Sequence, residues 1–201
     1  NANIQKLGAQ VHQRFDNYTV EASVKSWAAH QIKGGSNGMV PAFIRLREEL
    51  LHAYKKGDTC FPSPRSWSGV DRMISSGQVS DRVMRENIAA SKVGAGAAAE
   101  LEGFMAMATQ LTTWKQIVDS PATAQVPEQG RSQGIAAMFA LCGMICSKVD
   151  VDTVVHAMDY MERMPVDFQV SLVLDIQQRK PEIMDTARMS AWRAKNNNVA
   201  V

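Results

Sequence analysis

Apolar residues recur at helical spacing along most of this chain, and a strand-like pattern is confined to one short stretch. Ile4 to Arg14 predicts a short helix, and Phe15 to Val20, rich in aromatic and β-branched residues, predicts the one convincing strand. Val24, Trp27, Ala28 and Ile32 fall on one helical face, and Gly34, Gly35, Asn37 and Gly38 close that helix with a loop. Val40 to Tyr54 predicts the next helix, with Phe43, Ile44, Leu46, Leu50 and Leu51 as its apolar stripe. A polar turn, Lys55 to Thr59, leads into Phe61-Pro-Ser-Pro-Arg-Ser-Trp67. There Ser63 suits an N-cap and Pro64 the first helical position, which has no N–H partner to lose. The helix is expected to run to about Ser76 and to stop at Gly77.

Ser80 opens a further helical stretch, interrupted at Gly94 and Gly96 and continued from Ala97 to Leu111. The small residues from Ala95 to Ala99 suit close approach between helices. Thr112 to Val118 predicts a short helix. Ser120 to Gly130, with Pro121 and Pro127, predicts a loop and the best internal boundary. Arg131 to Lys148 is apolar on nearly every face, which predicts a central, buried helix. Val151 to Met164, Val166 to Arg179 and Glu182 to Lys195 predict three more helices, the first two ending at Pro165 and before Pro181. Asn196 to Val201 is expected to fray, and no fixed-period repeat occurs. The fold class is therefore mainly α, a helical bundle with at most one short N-terminal strand.

Composition narrows the function classes. The chain has 201 residues, 45% of them hydrophobic and 21% charged, with a net charge of +2. That supports a sizeable core and argues against both disorder and a nucleic-acid footprint, which needs a clustered basic face. The longest nearly apolar run, Ile135 to Cys146, is too short to span a bilayer, so no membrane role is expected. An odd cysteine count (Cys60, Cys142, Cys146) and no secretory signal favour a reducing cytoplasm with free thiols. Asn17-Tyr18-Thr19 fits a glycosylation sequon that means little without export. Asn1 rather than Met opens the chain, which is expected to start inside a longer gene product.

Nucleotide hydrolysis requires a Gly-rich loop ending in Gly-Lys-Ser/Thr, and no Gly-Lys dipeptide occurs here, so the chain alone is expected not to hydrolyse ATP. Leu172-Val-Leu-Asp175 resembles a buried strand ending in a magnesium-binding carboxylate. Ile176 stands where a second acid usually follows, and the segment lies between two prolines at helical length, so a helix is expected. Cys142 and Cys146 share a helical face but lack further ligands nearby, and two small apolar thiols in a core are the simpler reading. Gly34-Gly-Ser-Asn-Gly38 could hold an anion on its backbone N–H groups, though a plain turn is the default. The many methionines after Met105 read first as core filler and only second as a partner groove.

Phe43-Ile-Arg-Leu-Arg-Glu-Glu-Leu-Leu-His52 followed by Phe61-Pro-Ser-Pro-Arg-Ser-Trp67 resembles the start of the lid in MoxR-type AAA+ ATPases, a group with many bacterial and phage-encoded members. Arg14-Phe15, then a strand, then a helix with Trp27 and Ala28, is similar in order. Val93-Gly-Ala-Gly-Ala-Ala-Ala-Glu-Leu-Glu-Gly-Phe104 and Tyr160-Met-Glu-Arg-Met-Pro165 resemble the helical extension of phage-type members. The resemblance implies that 1–38 ends an AAA+ core, 39–120 forms the lid and 121–201 a C-terminal helical extension. It implies that Arg65 is the lid arginine (sensor 2) that reaches nucleotide phosphates, and that Arg14 is an arginine finger acting on a neighbouring subunit. It further implies ATP and Mg2+ in the parent protein with none held by this chain alone, a homo-oligomeric ring and a protein client. A stand-alone helical protein-binding module is the alternative.

Overall fold

The computed structural model describes residues 16, 18, 20–128 and 132–197. Among them are ten α-helices and no strand. The predicted helix from Ile4 to Arg14 lies outside the described residues. Of the predicted strand, Asp16, Tyr18 and Val20 are described, and none has regular structure.

The chain order is α1 (Val24–Lys33), α2 (Met39–Leu46), α3 (Pro64–Ser76), α4 (Arg82–Val93), α5 (Ala95–Ala108), α6 (Trp114–Asp119), α7 (Ser132–Lys148), α8 (Val154–Met161), α9 (Val166–Arg179) and α10 (Ala187–Lys195). Short 3-10 turns follow α2 (Glu48–Leu50) and α9 (Pro181–Asp185). Local chemistry explains most boundaries. Ser23, Ser63, Asp81, Thr113 and Thr186 each accept a first-turn N–H at an N-cap. Gly77 ends α3 in the left-handed region at φ 66°. Gly94 breaks α4 from α5, whereas Gly96 lies inside α5.

Three predicted helices are shorter than expected: Val151 to Met164 narrows to α8, Glu182 to Lys195 divides at Thr186 into a 3-10 turn and α10, and the largest difference lies after Met39. The run from Val40 to Tyr54 leaves helical geometry after Leu46, and its apolar stripe continues through the 3-10 turn. Trp67 Nε1 donates to the Leu50 carbonyl at 2.6 Å, and Ala53 N–H donates to the Pro62 carbonyl at 3.0 Å. Tertiary partners thus claim the backbone groups that helix continuation would use. Leu51 is still buried, because the tighter turn keeps it on the core side.

Two apolar clusters meet at α7. One joins Trp27, Phe43, Ile44, Trp67, Val70, Leu101 and Phe104 to Ala136 and Ala140 of α7. The other joins Met138, Leu141, Cys142, Ile145 and Cys146 of α7 to Tyr160, Leu172, Ile176, Met189 and Trp192. The central helix expected from its all-round apolar pattern is this one. Methionines 138, 158, 161, 164, 184 and 189 are core residues. The Asp175 segment is helical, and Asp175 pairs with Arg45 of α2 through two hydrogen bonds of 2.5 and 2.6 Å.

The loop after α6 is tied down. Arg163 donates to the carbonyls of Pro121 and Ala124, each at 2.7 Å, and Tyr160 Oη donates to Gln125 O at 2.7 Å. No described helix is long and apolar enough to cross a membrane.

Candidate functional site

Arg65 sits where the sequence puts it, in the first turn of α3. Ser63 Oγ accepts from Ser66 N–H at 3.2 Å, and Ser66 Oγ accepts from Ser63 N–H at 2.8 Å, a closed capping box ahead of Pro64. This turn is held from two sides. Trp67, fully buried, packs on Phe43 with ring centroids 5.7 Å apart. Trp27 Nε1 on α1 donates to Pro64 O at 3.0 Å and Ser68 Oγ at 3.1 Å. The helix is therefore rigid where Arg65 leaves it, while the Arg65 side chain is exposed and makes no hydrogen bond or ion pair with the described residues.

Several other arginines are engaged, although Arg72 and Arg82 are, like Arg65, exposed and without a side-chain partner among the described residues. Arg45 pairs with Asp175, Arg85 with Glu102 and Arg188 with Asp159 and Glu162. Burial works against the Arg45 charge, but the Asp175 hydrogen bonds and charge outweigh it and raise its pKa. Arg65 also meets the positive end of its own helix, which costs several tenths of a kcal/mol and is offset when an anion sits nearby.

Arg65 opens onto a groove of ≈ 310 Å³ between α3, the end of α4 and the 59–61 segment. Ser63, Ser66, Ser91 and Thr59 line it with hydroxyls, and Lys92 enters from α4. No carboxylate lines it, and its two cations suit phosphate oxygens. Sequence reading missed Lys92, because a lysine in the last turn of a helix is ordinary there. Arg14, the other predicted catalytic residue, lies outside the described residues.

The Gly34–Gly38 loop is not an anion cradle. Gly34, Gly35 and Ser36 N–H bond to α1 carbonyls, Asn37 N–H to Ser75 Oγ, Gly38 N–H to Ser36 Oγ and Met39 N–H to Asn37 Oδ1. With every N–H used, none remains for a ligand. The loop is instead a joint: Ser36 Oγ donates to buried Asp71 of α3 at 2.6 Å, and Arg179 of α9 donates to Ser36 O. Burial raises the Asp71 pKa, against the opposing hydrogen bonds from Ser36 and Ser75 and the charge of Arg179.

Cys142 and Cys146 are buried on α7. Desolvation first, and Asp175 second, push the Cys146 thiol up to about 12 and Cys142 higher still. Cys142 Sγ lies 3.6 Å from the Phe168 carbonyl, as a weak donor would. Among the described residues no three His, Cys, Asp or Glu side chains gather as a metal would need. No protein-family model, no curated protein and no solved structure matches this chain.

Proposed function

We propose that the chain is the lid and C-terminal helical portion of a MoxR-type AAA+ ATPase that remodels a protein client in the cytoplasm. ATP and Mg2+ belong to the ATP-binding part of an AAA+ core of which residues 1–38 form the end, and neighbouring subunits form a homo-oligomeric ring. Arg65 contributes the lid's contact to the nucleotide phosphates, and Arg14 acts on the adjacent subunit's ATP.

One observation carries this reading: an exposed arginine with no side-chain partner among the described residues stands in the first turn of a helix whose start is locked by a capping box and two tryptophans. Rotation of the lid as a body would move the guanidinium toward or away from the phosphates, where its planar fork binds two oxygens. In the complete ATPase, Arg65→Ala is expected to lower ATP turnover about tenfold or more, the loss of one charge-assisted hydrogen bond or two. Arg65→Lys recovers part of it, since a point charge lacks the fork. Wild-type turnover in a folded, ring-forming Arg65→Ala protein would refute the role. For Arg14, mixed rings of finger-defective and phosphate-loop-defective subunits should regain activity, and absence of rescue in assembled rings removes the trans role.

The alternative, a helical protein-binding module with no nucleotide role, draws on Val83 and Met84, both exposed on the first turn of α4. A complete gene product without a phosphate-binding loop would select it.

A further inference from the structure

The groove beside Arg65 holds a second cation, Lys92. Lys92 leaves the last turn of α4 and lies back across α3, one helical turn after Arg65. Its stem runs over Gly69, where a methyl group would stand 3.4 Å from Lys92 Cδ and 3.6 Å from Nζ. Gly69 leaves the room that this path uses. Lys92, like Arg65, makes no hydrogen bond or ion pair among the described residues. Other exposed lysines, Lys25 and Lys33 among them, are also without a side-chain partner among the described residues, so what distinguishes Lys92 is the groove it lines beside Arg65. Arg65 and Lys92 both line this groove, together with Ser63, Ser66 and Ser91 and with no acid.

We propose that Lys92 and Arg65 form a two-point clamp for a polyphosphate, with Lys92 selecting chains of phosphates over a single one. The inference rests on the reading of Arg65 as a phosphate contact and adds a residue to it. Two like charges held apart across a groove repel each other when empty, and a ligand bearing several negative charges along its length relieves both at once. A single orthophosphate satisfies one cation and leaves the other uncompensated. Arginine supplies the bidentate, directional contact, and lysine supplies a mobile point charge that tolerates either bridging or terminal oxygens.

The test uses the 201-residue chain, titrated with inorganic tripolyphosphate and with orthophosphate at low ionic strength and followed by amide chemical shifts. Tripolyphosphate should bind more tightly than orthophosphate and shift the amides around Arg65 and Lys92. Lys92→Ala and Arg65→Ala should each weaken tripolyphosphate about tenfold, and Lys92→Ala should erase most of the preference over orthophosphate. Lys92→Arg should keep most of the affinity. Lys33→Ala, which removes the same charge at the far end of α1, should change it less than about twofold. Both groove side chains are exposed, so their variants keep the wild-type far-ultraviolet circular dichroism. If Arg65→Ala weakens binding and Lys92→Ala does not, the clamp is wrong while the phosphate contact of Arg65 survives. If the wild-type chain shows no preference for tripolyphosphate, or if Lys33→Ala does as much harm as Lys92→Ala, the groove is no polyphosphate site. The turnover of Arg65→Ala in the complete ATPase then decides the Arg65 reading separately.

Discussion

Gly143 lies in the middle of α7, where intrinsic preference says an alanine should stabilise the helix by about 1 kcal/mol. The structure gives the opposite sign. A Cβ at Gly143 would stand 2.6 Å from the Gly38 carbonyl oxygen and 2.9 Å from its carbon, both backbone atoms. Comfortable contact needs about 3.5 Å, so helix and loop would have to part by nearly 1 Å. The loop cannot retreat freely. Ser36 is bonded to Asp71 and Arg179, Asn37 to Ser75, and Gly38 has φ 86°, a conformation that favours glycine. Overpacking of this kind costs about 1–3 kcal/mol, more if the loop's hydrogen bonds break. After the propensity gain is set against it, Gly143→Ala should destabilise by up to about 2 kcal/mol, and by more where the loop's hydrogen bonds break, lowering Tm by up to roughly 8 °C for a chain of this size. Gly103→Ala on the exposed face of α5 is the control, because nothing lies within 4 Å of its Cβ position. It should stabilise by about 0.5–1 kcal/mol. Thermal and urea unfolding of the three proteins, followed by circular dichroism, reads both changes. A Gly143→Ala protein as stable as wild type would show that the joint between α7 and the 34–38 loop is looser than its hydrogen bonds imply.

Arg45→Met should cost about 3–5 kcal/mol in urea unfolding, because Asp175, 3% exposed, would be left charged and unpaired; replacing Asp175 by Leu in the same protein should restore most of the loss. Native protein should expose one thiol, Cys60, to a disulfide reagent at mild pH, while Cys142 and Cys146 react only on unfolding; rapid labelling of all three would contradict their burial and raised pKa. Asp71 should titrate above the ordinary aspartate range in carboxyl carbon NMR. Its folded form holds the proton more tightly than the unfolded chain does. Its contribution to stability is therefore fully present below the ordinary aspartate pKa and is lost as pH rises through the raised folded value; a titration at or below the ordinary range would overturn this.

The sequence by itself determined the helical class and most helix positions. Ser63, Pro64 and Gly77 bound α3 because capping and left-handed termination act within a few residues of the chain. The all-round apolar pattern of α7 marked the helix shared by both clusters, and Pro165 and Pro181 bracketed α9. Arg65 was legible because its place follows from that same local start. Tertiary structure decided what long-range partners control. The helix after Met39 stops at Leu46 because Trp67 and Pro62 take backbone groups from further along the chain. Asp175, which resembled a metal-binding acid, is the partner of an arginine 130 residues away. In the Gly34–Gly38 loop most N–H groups are taken locally, by α1 carbonyls and by Ser36, and tertiary packing supplies the last partner, Ser75 of α3 for Asn37. Lys92 lines the same groove as Arg65 because α4 packs against α3 and Gly69 leaves its stem room. Helical periodicity and caps are written within a turn or two of each residue, whereas these pairings depend on which surfaces the burial of α7 brings together.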